Sequence, residues 1–534
     1  MNEVGLRIVA TVVSACFFCV ITLKMLGAMQ QAGYKNGEFM GWIARKDNQL
    51  YNRFGYLTAA LALLPAIVSL CLSFLGTRGA LLISAIPFFL MLVLYAVADG
   101  KYALKVPVKK TGRFWRLFAA YVLLVASFSY LLIALLKFLA TLNGSSLYAL
   151  IAYAPFALMP LLLPLILCLA NGIMSIFENA HNAKFVKQAG QVLDETQIIR
   201  IGIVGSYGKT SVKNILETIL EEKFTVVATP ESYNTPIGIA KTVMSEEFAN
   251  KQIFIAEMGA RKDGDIEELC TLVKPDYAAF TGVCEQHIKS FCSLENVWAE
   301  KSRILKCGVK KAVCGADLQE RIQAEFADAE NVELVSADGL QDVQYFATHT
   351  AFTLCLDGEK ISVDTKLLGE AATENILLAA SLCKELGMSM EEIGKGIAKL
   401  QPIPHRLQLL ENNGVYILDD GYNGNPVGAK RALAALARFE GRKCVVTPGL
   451  VECGILEEEK NGELGAQIAA LNLDKVILVG DTLVGAVKRG YEEADGDKEK
   501  LSVCKTLEGA QEELAEWLGE GDAVLFLNDL PDVY

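Results

Sequence analysis

The chain is poor in histidine and has no excess of positive charge. Its four histidines and fourteen cysteines form no pair of ligand pairs at zinc-binding spacing, so a structural zinc site of that kind is excluded. A formal net charge of -12 argues against nucleic acid as a partner, because the phosphate backbone attracts basic proteins. No internal repeat or low-complexity tract is present. With 534 residues, the chain is expected to form two or three ordinary folded domains.

Five long apolar stretches fill the first third of the chain. Each is close to the ~20 apolar residues that cross a bilayer. Together they leave almost no polar face for water, so we predict a transmembrane domain of about five helices over residues 1–175. The first stretch lacks the strongly basic start and the small-residue cleavage site of a signal peptide. The candidate spans are residues 6–29, 56–75, 81–98, 118–136 and 148–169.

Lysine and arginine are concentrated in two of the four connections between these spans. The positive-inside rule places both basic connections in the cytoplasm. Five spans then put the N-terminus outside and everything after Asn171 inside, where ATP is. We therefore predict a multi-pass protein of the plasma (inner) membrane with cytoplasmic catalytic domains and reduced cysteines. The basic residues are Lys35, Arg45, Lys46 and Arg53 in one connection, and Lys101, Lys105, Lys109, Lys110, Arg113 and Arg116 in the other.

The rest of the chain alternates β-like apolar runs with helical patterns. This alternation is typical of βαβ units, so we predict doubly wound α/β domains with parallel sheets. Residues 176–198 are predicted to be a connecting helix, residues 199–402 a central α/β domain, and residues 403–534 a Rossmann-like α/β domain. The predicted strands are 199–205, 225–228, 253–258, 277–283, 311–314, 415–419, 443–447, 475–480 and 523–527, and the helices between the first of them are 211–222, 265–273 and 293–306.

A candidate phosphate-binding loop follows the first predicted strand, with the sequence Gly205-Ser206-Tyr207-Gly208-Lys209-Thr210. Glycines let the backbone wrap around a phosphate, and the N-terminus of the following helix favours an anion. In such a loop Lys209 would hold the β- and γ-phosphates, and Thr210 would reach Mg²⁺. The motif is a shortened one, because Ile203 stands where the full pattern has its first glycine. An ordinary strand-to-helix turn is the alternative.

Three further residues have types suited to a nucleotide site. Glu257 ends a predicted parallel strand, where a carboxylate points into the ligand crevice and could bind a metal. A helix cap or a surface carboxylate is the alternative for Glu257. His287 follows the next strand, and Lys301 lies in a predicted helix. An isolated histidine such as His287 is more often structural, and an isolated lysine such as Lys301 is more often a solvated surface residue.

The order of these segments is more specific than any one of them. The phosphate loop is followed by Thr229-Pro230, Asn234 and Ile237-Gly238, then by Glu257-Met258-Gly259-Ala260, then by Thr281, His287, Phe291, Ser293-Leu294-Glu295 and Lys301. This order resembles the Mur ligase family over about residues 199–534. The run Leu418-Asp419-Asp420-Gly421-Tyr422-Asn423-Gly424-Asn425-Pro426 resembles the D-D-x-Y-N-x-N-P motif of the members that add D-alanyl-D-alanine to UDP-N-acetylmuramoyl-tripeptide.

The resemblance implies a role for each matching residue. Lys209, His287 and Lys301 are the expected catalytic residues, and the expected cofactors are ATP and two Mg²⁺ ions. Lys301 would be carbamylated and would help to hold the second ion. The expected metal ligands are Thr210, Glu257, His287 and Lys301. The expected nucleotide-binding residues are Gly205, Ser206, Gly208, Lys209, Thr210 and Ser211 in the loop, Asn375 beside the adenine, Arg406 toward the phosphates, Asp419 or Asp420 at the ribose, and Asn423 in the same loop.

The activity that the resemblance implies is an ATP-dependent amide (peptide) ligase of peptidoglycan precursor synthesis. ATP would convert a carboxylate into an acyl phosphate, which an amine then attacks; cations and preorganised donors suit this chemistry. The expected partners are a muramyl-peptide acceptor, an amino-acid or dipeptide donor and the lipid bilayer. A ligase making another polymer such as polyglutamate, or a nucleotide-sensing membrane regulator or transporter, stays open. The presence of Lys301 favours an enzyme.

Several segments depart from the family pattern. A membrane domain and a short connector stand where soluble members carry a UDP-binding domain. We therefore predict that the membrane domain takes over this role by holding a lipid-linked muramyl peptide, with the basic connection of Lys105, Lys109, Lys110 and Arg113 at its pyrophosphate. Fixing the orientation is the alternative role of these charges. The departing motifs are Gly369-Glu370-Ala371-Ala372 for G-x-H-N, Gly282-Val283-Cys284 for N-I-G, and residues 448–454 for G-D-M-x-E-L-G.

Overall fold

The computed structural model describes residues 8, 11, 12, 15, 16, 18, 19, 22–44, 108–143, 147–422 and 424–528. Two of the predicted spans, 56–75 and 81–98, lie outside the described residues. The basic residues Arg45, Lys46, Arg53, Lys101 and Lys105 lie outside them as well, as does Asn423. The chain divides near His181 into two compact units.

The described part of the first unit is helical. Two of its helices, over Gly112–Leu132 and Leu162–Glu195, are long and apolar enough to cross a membrane. The number of spans and the orientation of the chain stay predictions. The helices are α1 (Leu23–Gln31), α2 (Asn36–Ala44), α3 (Gly112–Asn143) and α4 (Leu147–Glu195), of which α4 continues into the second unit.

Two details of this region differ from the predictions. The first predicted span is interrupted by a turn at Thr22, whose buried hydroxyl donates to the Phe18 carbonyl at 2.7 Å and accepts from the Tyr121 hydroxyl at 3.0 Å. The fifth predicted span and the connecting helix form one helix, α4, which ends at Glu195. The sequence becomes less hydrophobic after Asn171-Gly172, but a single glycine destabilises a helix by only ~1 kcal/mol. The helix therefore continues, although its side chains change from mainly apolar to mixed.

The second unit begins with a six-stranded parallel sheet in the order β2-β3-β1-β4-β5-β6. Its strands alternate between two faces: Phe254 and Phe280 pack in one hydrophobic core, and Ile201 and Ile255 pack in the other. The five predicted strands are confirmed, and the short β6 was missed. The strands are β1 (Ile199–Val204), β2 (Val226–Ala228), β3 (Ile253–Glu257), β4 (Tyr277–Phe280), β5 (Lys311–Cys314) and β6 (Val332–Leu334).

Helices cover both faces of this sheet. On α5, Val212, Ile215 and Ile219 are fully buried against the sheet and neighbouring helices, and each such side chain contributes about 1.5–3 kcal/mol by leaving water. The helices are α5 (Lys209–Leu220), α6 (Pro236–Val243), α7 (Asp265–Val273), α8 (Ile288–Phe291), α9 (Leu294–Lys301), α10 (Gln319–Glu325), α11 (Gly369–Glu385) and α12 (Met390–Ala398). The predicted helix 293–306 is α9 followed by a 3-10 turn, Ser302–Lys306.

A three-stranded antiparallel sheet, which the sequence analysis missed, precedes α11. It consists of β7 (Leu340–Tyr345), β8 (Thr350–Leu356) and β9 (Glu359–Thr365). The signal for its second hairpin was present, because Asp357-Gly358 is a favoured two-residue turn. Both residues have positive φ, 50° and 79°.

The last sheet has the order β10-β11-β15-β12-β13-β14. Its edge strand β10 runs antiparallel to β11, so the sheet is mixed, and the prediction of a parallel sheet is wrong at this edge. An Asn413-Gly414 turn forms the hairpin. The strands are β10 (Gln408–Asn412), β11 (Val415–Asp420), β12 (Lys443–Thr447), β13 (Lys475–Val479), β14 (Leu501–Cys504) and β15 (Ala523–Leu527); the helices are α13 (Pro426–Leu436), α14 (Glu457–Ala470), α15 (Val484–Glu493) and α16 (Leu507–Trp517).

One pair of cysteines departs from the expected reduced state. Cys270 of α7 and Cys307, which follows the 3-10 turn, form a disulfide with their Cα atoms 6.2 Å apart. The expectation of reduced cysteines rested only on the predicted cytoplasmic location of this unit. The packing of α7 against the segment after α9 brings the two thiols together.

Candidate active site

The phosphate loop connects β1 to α5 as predicted, and its two glycines are required by close neighbours. A Cβ atom on Gly205 would overlap the Thr281 hydroxyl. A Cβ atom on Gly208 would lie 2.9 Å from Asn375 Oδ1, and Gly208 has the left-handed conformation that favours glycine. The buried Ser206 donates its backbone N–H to the Gly282 carbonyl at 2.8 Å. The loop is therefore held open around the N-terminus of α5.

Lys209 lies folded back into this loop. Its ammonium donates to the Gly205 carbonyl at 2.8 Å. Burial lowers the pKa of Lys209, Glu257 opposes this shift, and the nearby Arg406 adds to it. Burial disfavours the charged form of Lys209, whose hydrogen-bond partner is a neutral carbonyl. A phosphate bound in the loop would therefore stabilise the ammonium. Ser211 follows in the first turn of α5 and is half-buried.

Glu257 ends β3 as a carboxylate that is only 2% exposed. Its Oε2 accepts from the Thr210 hydroxyl at 2.9 Å, and its Oε1 accepts from the Asn234 amide at 3.2 Å. Lys213 lies on α5, one turn after Lys209, with its Nζ 3.5 Å from Glu257 Oε2. The sequence analysis overlooked Lys213, although the i, i+4 spacing from Lys209 put both on one side of the helix.

The oxygens around Glu257 fit a magnesium ion. Mg²⁺ prefers carboxylate and hydroxyl oxygens and keeps several waters, with one or two carboxylates and substrate phosphates completing its shell. Among the described residues no three His, Cys, Asp or Glu side chains cluster as a metal site. Protein ligands at this point would therefore be Thr210 and Glu257, with phosphate and water oxygens beside them.

Lys301 stands at the end of α9 and points into the same loop. It is 2% exposed, and its Nζ donates at 3.1 Å to the Gly205 carbonyl, the oxygen that also accepts from Lys209. Burial, with a smaller contribution from Lys209, lowers the pKa of Lys301 to about 7. Two lysines thus share one carbonyl, and about half of the Lys301 amine is neutral near pH 7. This arrangement favours an added anion.

His287 is held by the other half of the second unit. Its Nδ1 lies 3.0 Å from Glu452 Oε2, in the loop that precedes α14, rather than beside Glu257. Metal-binding histidines commonly have a carboxylate on one ring nitrogen, which leaves the other nitrogen for the ion. The sequence analysis missed Glu452, since its pairing with His287 is made only by the fold.

Beside the loop lies a cavity of about 160 Å³. Asn375, predicted to lie by the adenine, is part of its lining. The Tyr207 hydroxyl donates to Asp317 at 2.6 Å, and Arg431 of α13 contacts Glu374 at 2.7 Å. Burial raises the pKa of Glu374 to about 7. The lining comprises Tyr207, Thr281, Gly315, Ala316, Asp317, Val335, Ala337, Leu340, Glu374, Asn375, Leu377 and Leu378.

Tyr207 explains one departure from the family motif. A Cβ atom on Gly282 would overlap the Tyr207 ring and hydroxyl. The ring therefore fills the space in which the side chain of the family's asparagine would begin. Position 282 accepts only glycine while Tyr207 keeps this conformation.

The residues expected around the ribose and phosphates lie just before β10 and at the end of β11, although not all have the same partners. Arg406 lies over the Tyr422 ring at 4.5 Å and donates to the Tyr422 carbonyl at 3.2 Å. Asp420 accepts from the Leu407 N–H at 3.0 Å, and burial raises its pKa to about 6. Asp419 instead contacts His405 at 2.8 Å. Arg406 and Asp420 therefore attract each other electrostatically, whereas Asp419 pairs with His405.

Contacts join the two sheets of the second unit at this site. The Tyr422 hydroxyl donates to Ser232 Oγ at 2.8 Å, within the Thr229–Asn234 segment whose ends contact Glu257. Asn425 caps α13 by accepting from the Gly428 N–H at 2.9 Å, and the Cys284 thiol lies 3.8 Å from its Oδ1. The site is therefore lined by residues from both α/β halves.

Comparisons with known proteins support the order of motifs. The Mur ligase middle domain matches residues 203–383, and the Mur ligase glutamate ligase domain matches residues 405–528. The UDP-N-acetylmuramoyl-tripeptide–D-alanyl-D-alanine ligase of Bacillus subtilis is 28% identical over 338 residues, which cover 61% of this chain and 72% of that protein. The ligase of the same name from Escherichia coli is 28% identical over 52% of this chain and 64% of its own length.

A solved structure shows the same fold. The MurF ligase of Thermotoga maritima, in complex with ADP, has a TM-score of 0.60 and 26% identity, covering 66% of this chain and 81% of its own. A MurF structure from Acinetobacter baumannii, at 21% identity, has a TM-score of 0.59. The residues matched by the two Mur ligase domain families include the phosphate loop, Glu257, Lys301 and the segment after β11. The chain therefore belongs to the Mur ligase family of ATP-dependent acid–amino-acid ligases.

Proposed function

We propose that this chain forms an amide bond on a cell-wall muramyl peptide at the membrane, with ATP as the energy source. The observation that carries the proposal is the convergence at the phosphate loop. Lys209 and Lys301 both donate to the Gly205 carbonyl, and Thr210 donates to Glu257. A sensor would need a nucleotide pocket but no buried lysine of lowered pKa beside it. The arrangement therefore favours catalysis.

In the proposed reaction, an oxygen of the acceptor carboxylate attacks the γ-phosphorus of ATP, and ADP leaves. The donor amine then attacks the acyl carbon of the acyl phosphate, inorganic phosphate leaves, and one proton is released. Lys209 would bind the β- and γ-phosphates, where negative charge has to be stabilised. The cavity beside Asn375 would take the adenine, and Arg406 would approach the phosphates from the C-terminal half.

Magnesium would supply charge neutralisation and orientation of the phosphates. Thr210 and Glu257 would hold one ion. His287 and a carbamylated Lys301 would hold a second, with Glu452 fixing the imidazole. A lysine amine has to be neutral to react with CO2, and burial, by lowering the Lys301 pKa to about 7, makes a large neutral fraction available near pH 7. The resulting anion would sit beside Lys209.

The names of the relatives support a choice of acceptor and donor. Addition of D-alanyl-D-alanine to a muramyl tripeptide is our first choice, because the relatives in Bacillus subtilis and Escherichia coli carry that name. A related dipeptide, or a polymer such as polyglutamate, is the second choice. At 28% identity, with changed motifs at Gly282 and around Glu452, the peptide pockets are free to differ.

The test is ADP formation by the detergent-solubilised protein, with candidate muramyl peptides and amines added one pair at a time. We expect ADP and an amide product only when both a matching acceptor and a matching amine are present. Product analysis by mass spectrometry identifies the bond formed. Glutamate chains as the product would favour the second choice, and ADP formation that no acceptor or amine changes would refute the ligase.

The first unit is proposed to hold a lipid-linked acceptor. Apolar side chains on α3 and α4 face outward, including Leu123 at 68%, Leu131 at 63% and Leu165 at 54% exposure, as expected of helices that contact lipid. One transmembrane helix is enough to anchor a protein effectively irreversibly, so further spans are available for another task. Lys109, Lys110 and Arg113 lie just before and at the start of α3.

We expect the full chain to prefer a lipid-linked muramyl peptide over a UDP-linked one carrying the same peptide. The physical reason is that the predicted membrane spans would keep the chain at the bilayer, in which a lipid-linked substrate is also anchored. The measurement compares kcat/KM for both acceptors in the full chain and in a truncated chain that begins at Asn182, where the second compact unit starts. Equal use of the UDP-linked acceptor by both chains, with no preference for the lipid-linked one, would contradict the proposal.

A further inference from the structure

Lys213 is a buried cation of the site for which the proposed reaction has no use. Its side chain is 3% exposed, and its Nζ lies 3.5 Å from Oε2 of Glu257, which is itself 2% exposed. The same ammonium donates to the Glu231 carbonyl. Burial lowers the pKa of Lys213, and Glu257 opposes that shift. Lys213 is thus the cation that is paired with the candidate metal ligand in the structure.

A carboxylate as buried as Glu257 is costly without a counter-charge. Breaking a buried ion pair by removing one partner typically costs about 3–5 kcal/mol, because the remaining charge is left uncompensated. The hydrogen-bond partners of this carboxylate, Thr210 and Asn234, are neutral donors, and Lys209 and Arg406 attract it without forming an ion pair with it. Lys213 therefore stabilises the charged carboxylate whenever no metal is present.

The same charge opposes a divalent cation at Glu257. Two like charges a few ångströms apart repel each other strongly where water is excluded. Thr210 and Lys213 also contact the same oxygen, Oε2, so an ion that binds there has to share the oxygen with the ammonium. Ion affinity at this carboxylate is then a difference between attraction to Glu257 and repulsion by Lys213.

We propose that Lys213 is a positioning residue that holds Glu257 in its binding conformation between turnovers and sets the affinity of this carboxylate for a divalent cation. The inference rests on the proposed function only in taking Glu257 as a metal ligand. A weakened site lets the ion leave with the spent nucleotide, while the ammonium returns to the carboxylate. Lys213 contacts Glu257 and the Glu231 carbonyl, and its effect on the reaction passes through Glu257.

The variant to make is Lys213→Gln, which removes the charge and keeps an N–H donor for the Glu231 carbonyl. Lys213→Arg keeps the charge and serves as the conservative rescue. The matched control is Lys223→Gln, because Lys223 also donates to a carbonyl, that of Gly387 at 2.6 Å, and lies 3.6 Å from a different carboxylate, Glu392. It makes the same chemical change in the same half of the protein, away from Glu257.

The measurement is thermal unfolding of the full chain in detergent, first in EDTA and then against increasing MgCl2, without nucleotide. We expect Lys213→Gln to have a lower Tm than the wild type in EDTA and a larger Tm rise with Mg²⁺. The midpoint of that rise should fall to about one tenth of the wild-type Mg²⁺ concentration, a change that corresponds to about 1.4 kcal/mol. Lys213→Arg and Lys223→Gln should keep the wild-type midpoint.

Two outcomes overturn the inference. One is an equal Mg²⁺ midpoint in Lys213→Gln and the wild type, and the other is a wild type whose Tm does not respond to Mg²⁺. If Lys213→Gln does not fold, MnCl2 titration of Lys213→Arg and of Glu257→Gln replaces it: the inference requires Lys213→Arg to bind Mn²⁺ and Glu257→Gln to lose that binding. A protein without ligase activity that still shows the lowered midpoint would refute the proposed function and support the inference.

Discussion

Lys209→Ala is expected to lower ATP turnover by at least about a hundredfold without unfolding the protein. Lys209 is the cation at the N-terminus of α5, and burial makes its charge dependent on an anionic partner. Removing it takes away stabilisation from the phosphates, where the reaction builds up negative charge. The measurement is ADP release at saturating acceptor and amine, with Tm recorded on the same sample.

Lys223→Ala is the control for this prediction. Lys223 lies after the C-terminal end of α5, whereas the phosphate loop precedes the N-terminal end of this helix. Its ammonium donates a hydrogen bond to the Gly387 carbonyl. It should keep wild-type turnover. Turnover close to the wild-type rate in Lys209→Ala would show that the loop does not bind the phosphates. A large fall in Tm would instead show that the packing of Lys209 against the Gly205 carbonyl maintains the loop.

Lys301→Ala is expected to be inactive and to recover part of its activity when short-chain carboxylic acids are added. The variant leaves a buried space in which a carboxylic acid can replace the carbamate anion. The measurement is turnover as a function of added acetate or formate, compared with the wild type. Lys306→Ala is the control, since Lys306 lies on the neighbouring 3-10 turn and faces the Phe326 ring. Full activity of Lys301→Ala without added acid would make Lys301 a structural lysine.

The pH dependence of Lys301 has a defined sign. Its folded pKa is lowered from 10.5 to about 7, so between these values the unfolded chain binds a proton that the folded chain does not. Stability from this group therefore rises as pH increases from about 7 to about 10.5, and it is absent below pH 7. In CO2-free buffer, Lys301→Met should lack this rise in Tm. An identical pH profile in both proteins would contradict the lowered pKa.

The features that local sequence signals could predict are those set by a few neighbouring residues. The phosphate loop needs only a strand, two glycines and a helix start, and the structure has all of them. Glu257 was found because the ends of parallel strands face a crevice. The hairpins at Asp357-Gly358 and Asn413-Gly414 carried an equally local signal and were overlooked, because one strand of each, β9 or β10, is mostly exposed and has a weak apolar pattern.

The features that the sequence could not reveal depend on distant segments meeting. Lys213 lies on a predicted helix, but its pairing with Glu257 depends on how α5 packs beside β3. The contact of His287 with Glu452 joins the two halves of the second unit. The continuity of α4 shows a different limit, because hydropathy marks where a helix changes its surroundings and not where its backbone ends.

The overlap between Tyr207 and position 282 also constrains how the site can diverge. A side chain at position 282 would overlap the Tyr207 ring in its present position, so an asparagine there requires the ring to move or Tyr207 to be replaced by a smaller residue. The effect of a substitution at one of these positions therefore depends on the residue at the other. Homologues should show covariation, with glycine at 282 wherever the loop carries tyrosine at 207. In a protein with tyrosine at 207 and asparagine at 282, the tyrosine ring should occupy a different position.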